Sequence, residues 1–287
     1  MLLLDFNAIC IAGIMTQRNI PEFDENYIKH IILNSIRMHA AKHKEKYGYP
    51  VICCDARSWR KDYFKEYKWK RRSDNTPEEK EEWDLIFKTI DQVKQDLMEN
   101  FPYKVIHVNG AEADDIIGVL TELSNEFGHY EDVMIISGDK DFVQLQKYKN
   151  VKQYSPIKKK FIVEKNPRKY LVEHILKGDS GDGIPNVLSA DDTFVVEGKR
   201  QRPVTKKFID AILDADLPEE STVWNEEVAR NYARNKKLID LTETPEDIRS
   251  EIINKFETQK VAHKSKVMNY LITNRMKMLV ESVSDFI

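Results

Sequence analysis

Cysteine is scarce here. The 287 residues hold only three, Cys10, Cys53 and Cys54, and no pair has Cys-x-x-Cys spacing. An odd count, with two neighbours inside an apolar run, reads as buried, reduced thiols in a reducing compartment. Also missing is any apolar stretch approaching the ~20 residues of a membrane span. The opening Met-Leu-Leu-Leu is broken at once by Asp5, too short for a secretory signal. A soluble, cytoplasmic chain with no membrane contact is expected. There is no internal repeat and no low-complexity linker. Gly178, Gly181 and Gly183 form no Gly-x-Gly-x-x-Gly after a strand, which argues against a dinucleotide site. His39 and His43 stand four apart but lack an intervening glutamate and a third ligand, so zinc is set aside. Net charge is only −3, so any electrostatic binding must come from local patches rather than the whole chain.

What is present is alternation. Leu2–Phe6, Val51–Cys54, Val105–Val108 and Val133–Ile136 are apolar runs short enough to be strands buried on both faces. Helical patterns separate them. Tyr27–Lys46 places Ile28, Ile31, Ile32, Ser35 and His39 on one face, and Ala113–Phe127 carries Ile116, Ile117, Val119, Leu120 and Leu123. Thr76-Pro77-Glu78-Glu79 is a capping-box start with proline at the first helical position, opening a helix to about Glu99. Strand and helix in this order predict an α/β fold with a mainly parallel central sheet flanked by helices. After about Tyr170 the strand signal fades, and helices are predicted near 168–177, 203–214, 222–238, 245–257 and 265–281. The expected division is an α/β core over 1–170 and a smaller helical domain over 171–287. Met268, Met276 and Met278 read as core filler.

The chemistry-bearing feature is acidic. Three apolar runs end on or just before carboxylates: Leu4-Asp5, Cys54-Asp55, and Ile136-Ser137-Gly138-Asp139-Lys140-Asp141. A fourth group, Glu112-Ala113-Asp114-Asp115, opens the helix after the third run. Parallel strands present their carboxyl ends on one edge, where ligand sites form, so all four groups converge there. A single such Asp is more often a cap or turn residue. Four strand ends together are costly unless cations neutralise them, because neighbouring carboxylates raise one another's pKa. An oxygen-only donor set with no helpful His or Cys predicts Mg²⁺, with Mn²⁺ substituting. The helix N-terminus helps keep Glu112, Asp114 and Asp115 ionised. Gly178-Asp179-Ser180-Gly181-Asp182-Gly183-Ile184-Pro185 adds a further Asp pair, which alone is equally readable as a Gly-rich turn.

Directly after Asp55, the segment Arg57–Arg72 has eight basic residues (Arg57, Arg60, Lys61, Lys65, Lys68, Lys70, Arg71, Arg72) against Asp62 and Glu66. Trp59, Tyr63, Phe64, Tyr67 and Trp69 are interleaved. Aromatics among cations suit a groove that stacks bases and pairs phosphates of a single strand. Lys158–Lys160 and Lys199–Lys207 are further basic blocks, candidates for duplex-backbone contact.

These groups, in this order, resemble the flap endonuclease and 5′-nuclease superfamily. Asn150-Val-Lys-Gln-Tyr-Ser-Pro156 and the overall layout are most similar to the T-even phage ribonuclease H branch. The likeness covers roughly residues 1–215. It implies a PIN-like core, a helical arch over about 57–75, and two divalent ions. By position, Asp5, Asp55, Glu112 and Asp114 would hold one metal; Asp139, Asp141 and Asp182 would hold or neighbour the second. Asp115 and Asp179 would act mainly through waters or by supporting the ligands from behind. Asp5 and Asp141 are expected to be indispensable to catalysis. Lys68 and Arg71 are expected at the scissile or adjacent phosphate, and Arg60, Tyr67 and Arg72 beside the strand. The helix-three-turn-helix module normal after Asp182 is altered: Val187–Phe194 lacks the Gly-Ile-Gly turn, and Lys206 and Lys207 would substitute by charge. The implied activity is two-metal 5′→3′ hydrolysis of RNA–DNA hybrids, duplex DNA and 5′ flaps to 5′-phosphate products, removing primers in lagging-strand replication. The resemblance further implies DNA and RNA–DNA partners, contact with a single-stranded-DNA-binding protein and a sliding clamp, a monomer, and a host cytoplasm if the source is a phage. Val283-Ser-Asp-Phe286 is a candidate clamp peptide. Two other readings stay open at this point: a PIN-type endoribonuclease, and a non-catalytic nucleic-acid scaffold.

Overall fold

The computed structural model describes residues 1–17, 24–70, 76–215 and 217–287. Its six strands are β1 (Leu2–Asp5), β2 (Pro50–Cys53), β3 (Lys104–Ile106), β4 (Val133–Ile136), β5 (Val151–Ser155) and β6 (Lys160–Ile162). They lie in the order β3-β2-β1-β4-β5-β6. β1 to β5 are parallel, and only the edge strand β6 is antiparallel. The four predicted strands all form, within a few residues of their expected limits. β5 and β6 did not stand out in the sequence, because Val151–Ser155 alternates buried and exposed residues instead of forming an apolar run.

Side-chain alternation along the strands feeds two cores, one on each face. Leu2, Leu4, Ile52, Val105, Met134 and Ile136 enter one; Leu3, Val51, Cys53, Ile106, Val133 and Ile135 enter the other. That is why these runs read as continuously apolar. Helices Glu25–Tyr47 and Pro77–Asn100 contribute to the first core, and Ala113–Leu123 and Glu246–Thr258 to the second. The capping box at Thr76 is present, with Thr76 Oγ1 accepting from Glu79 N and Glu79 returning to Thr76 N.

The C-terminal third is helical, as predicted, with one difference. The stretch expected as one helix over 265–281 breaks into Ser265–Thr273 and Lys277–Val280. Arg275 stands between them at φ +56°, a left-handed conformation that no continuing helix accommodates. The final residues return to the first core: Phe286 is fully buried against Phe101, and Tyr103 Oη donates to the Phe286 carbonyl at 3.0 Å. In the candidate clamp peptide Val283–Phe286, a reading the sequence favoured less than a plain tail, the aromatic residue is an interior anchor. Cys10, Cys53 and Cys54 are buried thiols, and Met276 is core while Met268 and Met278 are exposed. Among the described residues no helix is long and apolar enough to cross a membrane.

Candidate metal centre and nucleic-acid interface

Because β1, β2 and β4 are adjacent and parallel, their carboxyl ends place Asp5, Asp55 and Asp139 on one edge of the sheet. Beyond β2 the pairing continues as a zipper onto the chain after β3. Cys54 N donates to Ile106 O, Ala56 N to Ala111 O, and Trp59 N to Gly110 O. The zipper brings Ser58 to Glu112, and Ala113 N donates to Asp55 Oδ1 at 2.8 Å. The result is a cleft of about 620 Å³ whose lining includes Asp5, Asp55, Glu112, Asp114, Asp139 and Lys68. The expected convergence is realised for these five carboxylates, and Asp139 stands with the first group rather than apart from it.

Asp5 caps its helix, accepting from Ala8 N, and also accepts from Ser137 Oγ at 2.9 Å. Burial and the neighbouring Asp55 outweigh those bonds and push its carboxyl up to about 7. Asp114 is driven well above the usual carboxylate range by burial and by Asp139 and Asp5. Glu112 differs. Burial alone would raise it, but Lys68 and Arg60 overcome this and hold it down at about 2. It accepts from Ser58 Oγ (2.7 Å), Tyr67 Oη (2.9 Å), Arg60 (3.2 Å) and Lys68 Nζ (2.6 Å).

A second group lies beside the first. Asp141 begins the turn after β4, and Asp179 and Asp182 belong to the Gly178–Pro185 loop. That loop is closed by Asp179 N to Ile184 O (2.8 Å) and Ile184 N to Asp179 O (2.7 Å). Its Gly183 sits at φ +74°, where a Cβ would lie 2.6 Å from the Glu66 carbonyl. Glycine is required because the basic segment descends onto the loop there, Lys68 N donating to Asp182 O at 2.8 Å. Lys68 itself adopts φ +54°, which turns its ammonium toward Glu112 and, at 3.5 Å, Asp182. Tyr67 Oη spans the same two carboxylates. Asp141 is pushed up to about 7 by burial and Asp139. Asp179 is lowered: His174 and Lys140 overcome its burial.

His174 was missed by the sequence reading, which expected only oxygen donors at this edge. This buried ring stands between the two acids, Nδ1 3.5 Å from Asp141 Oδ1 and Nε2 3.4 Å from Asp179 Oδ2. The available signal was its position in the last turn of Pro167–Lys177, four residues before Gly178. A lone histidine on a helix gave no reason to look there.

Several placements differ from expectation. Asp115 is fully enclosed, engaged by Arg60, Trp59 Nε1, Thr244 Oγ1 and Glu112 N, so it braces the site from beneath rather than facing the cleft. Arg60, expected beside nucleic acid, is interior, because its guanidinium neutralises Asp115 and Glu112 and donates to the Leu238 carbonyl. Tyr67 is interior too. With Phe64 it fills a small core against Ile175, Ile184, Leu238 and Ile239, and Trp59 is likewise buried. Of the five interleaved aromatics, only Tyr63 and Trp69 are exposed. The helical part of the described segment is the single turn Arg60–Tyr63. Arg71 and Arg72 lie outside the described residues. Lys206 and Lys207 are exposed at the start of Lys206–Leu213, and Lys158–Lys160 are exposed at the turn into β6.

The carboxylates fit divalent cations. Asp5, Asp114 and Asp141 are raised by burial and by neighbouring carboxylates, and Asp141 Oδ1 is buried with no hydrogen-bond partner among the described residues. Bringing a cation here relieves both costs.

Comparison with known proteins gives consistent assignments. The family model described as the 5′-3′ exonuclease N-terminal resolvase-like domain matches residues 18–174, and that of the T4 RNase H C-terminal region matches 167–286. The chain is 32% identical to the ribonuclease H of Enterobacteria phage T4, over 99% of this chain and 95% of that protein. It is 34% identical to the flap endonuclease Xni of Shewanella woodyi over 46% of this chain and 51% of that one. Among solved structures, the T5 D15 protein co-crystallised with metal ions superposes with a TM-score of 0.65, covering 90% of this chain and 99% of that one at 16% identity. The T5 D15 flap endonuclease in a pseudo-enzyme–product complex with DNA and metal ions also scores 0.65, at 17% identity, covering 89% and 97%.

Proposed function

The chain belongs to the 5′-3′ exonuclease family, and on that premise we propose that it is a metal-dependent 5′→3′ nuclease with exonuclease, flap endonuclease and ribonuclease H activity. Its substrates are RNA–DNA hybrids, duplex DNA and 5′ flaps, its products carry 5′-phosphates, and its role is primer removal on the lagging strand in the cytoplasm of a phage-infected host. Single-stranded-DNA-binding protein belongs to the same replicative setting as a partner.

The observation that carries this reading is the edge where Asp5, Asp55, Glu112, Asp114 and Asp139 share one cleft, with Asp141, Asp179 and Asp182 beside it. Two divalent cations bound there, Mg²⁺ ordinarily and Mn²⁺ in substitution, would supply an activated water and a clamp on the in-line transition state. The chain's residues do the rest. Asp5 and Asp141 would hold the ions; Ser137 and Ala8 N orient Asp5, and Ser58 orients Glu112. Lys68 pairs with Glu112 before substrate arrives, and its ammonium then turns to the phosphate whose charge develops in the reaction. Arg71 joins it by its place in the sequence. Exposed Trp69 and Tyr63 stack bases of the passing strand, and Lys206 and Lys207 track a duplex backbone.

The test is a 5′-labelled flap or RNA–DNA hybrid incubated with Mg²⁺ and, separately, with EDTA. Cleavage from the 5′ end in Mg²⁺ alone supports the proposal. Binding without cleavage would instead describe a scaffold, and cleavage of free single-stranded RNA with no need of a 5′ end would describe a PIN-type endoribonuclease.

A further inference from the structure

We propose that His174 is a direct ligand in the second metal position, adding a nitrogen donor to Asp141 and Asp179 and biasing that position toward Mn²⁺ or Co²⁺ over Mg²⁺. The inference rests on the metal-dependent reading above and sharpens it.

The geometry comes first. One ligand atom from each of Asp141, His174 and Asp179 can be chosen so that all lie within 4.8 Å of one another. Donors about 2.1 Å from an octahedral ion are about 3 Å apart when adjacent and about 4.2 Å apart when opposite. Whichever nitrogen takes the ion, its separation from the carboxylate it faces, 3.5 Å for Nδ1 to Asp141 or 3.4 Å for Nε2 to Asp179, is close to that of adjacent positions, and the other separation is then that of the bracing contact. Both are also long for hydrogen bonds, so these contacts do not fully satisfy the groups that make them.

Burial supplies the second argument. The His174 ring is 7% exposed, and the carboxylate oxygen facing it, Asp141 Oδ1, is buried with no hydrogen-bond partner among the described residues. An imidazole placed solely to brace an acid would be expected to close that bond. The ring instead presents one nitrogen to each acid. In metal sites, a ligating histidine usually donates its other ring N–H to a carboxylate, fixing the tautomer and orientation. Either nitrogen of His174 finds such a carboxylate when the other binds an ion.

Lys140 Nζ, 2.8 Å from Asp179 Oδ2, occupies part of the same electrostatic niche. Its side chain is half exposed and can withdraw to solvent when a cation arrives, whereas His174 cannot leave the interior. The nitrogen donor is therefore the fixed component. Imidazole beside carboxylate favours later first-row ions over Mg²⁺, which takes oxygen donors and keeps its waters.

The experiment uses the full chain, labelled with ¹⁵N-histidine, and Mn²⁺ as the probe. Electron spin-echo modulation of the Mn²⁺-loaded protein should show a directly coordinated ¹⁵N, and calorimetric titration should show two Mn²⁺ sites. In His174→Gln and His174→Asn, the nitrogen coupling should vanish and the second Mn²⁺ should bind about tenfold or more weakly, with the Mg²⁺ isotherm much less affected. Two bound Mn²⁺ with no histidine coupling in the wild type would overturn the inference while leaving the metal-dependent nuclease intact. Absence of any Mn²⁺ or Mg²⁺ binding would overturn both. The wild-type spectrum decides even if the variants fold poorly.

Discussion

Arg60 and Asp115 form a buried two-pronged ion pair beneath the acidic cleft, one guanidinium nitrogen 2.9 Å from each carboxylate oxygen. Glu112 shares the same guanidinium at 3.2 Å. The start of the basic segment is thereby pinned to the helix that carries Glu112, Asp114 and Asp115. Removing the cation strands two acids in the interior, and breaking a buried pair from one side costs about 3–5 kcal/mol. Arg60→Ala should lose about that much stability in urea unfolding. A loss below about 1 kcal/mol would mean that the pair behaves as a surface feature.

Asp5→Asn should fail in catalysis while stabilising the metal-free fold. It removes a carboxylate raised to about 7 by burial and Asp55. Turnover should fall on the order of a hundred-fold or more, since a metal clamp supplies several kcal/mol. The melting temperature in EDTA should rise. Wild-type turnover in this variant would remove Asp5 from the metal site.

Stability of the metal-free protein should fall as pH rises from about 4 to 7. Asp5 and Asp141 have ordinary values of 3.8 but sit at about 7 in the fold, so the unfolded chain releases these protons first. Over that interval the folded state binds more protons, and stability declines with pH. Glu112 acts oppositely: its value falls from 4.5 to about 2, so its contribution is present above about 4.5 and is lost as pH drops toward 2. Differential scanning calorimetry in EDTA should show the decline, about 2–4 °C for each kcal/mol. Saturating Mg²⁺ should flatten it by keeping the acids ionised.

Lys68→Ala should lower kcat by about 10²–10³ with both metal sites still titratable. The ammonium pairs with Glu112 in this structure, and under the proposed function it meets developing negative charge instead of holding an ion. If metal stoichiometry is lost instead, Lys68 serves the metal site and not the phosphate.

Replacing Lys206 and Lys207 together by Ala should weaken duplex binding without regard to sequence. The slope of log K against log salt should become shallower by about 2, near 0.9 for each phosphate that is no longer neutralised. An unchanged slope in fluorescence anisotropy would place the duplex elsewhere.

Much of the site was legible in the sequence, because its residues are tied to strand ends. Asp5, Asp55 and Asp139 each follow an apolar run, and parallel strands order their carboxyl ends along one edge. Arg60, Phe64 and Tyr67 were misleading for the opposite reason. A basic, aromatic segment looks like a surface in one dimension. Its burial depends on Leu238, Ile239 and Ile175, more than a hundred residues away, which local pattern cannot supply. β5 and the edge strand β6 escaped notice because strands partly open to solvent have no continuous apolar signature.

By itself the sequence determined the parallel sheet, the acidic edge and the family to which the chain belongs, because each follows from short-range periodicity and from residue types at fixed spacings. Only the tertiary structure decided which charges face the cleft. It turned Asp115 and Arg60 inward as a mutually neutralising pair, sent Phe286 into the core, and set His174 between Asp141 and Asp179. Those choices depend on burial, which is a property of long-range packing: the cost of an unpaired interior charge is settled only when distant segments meet.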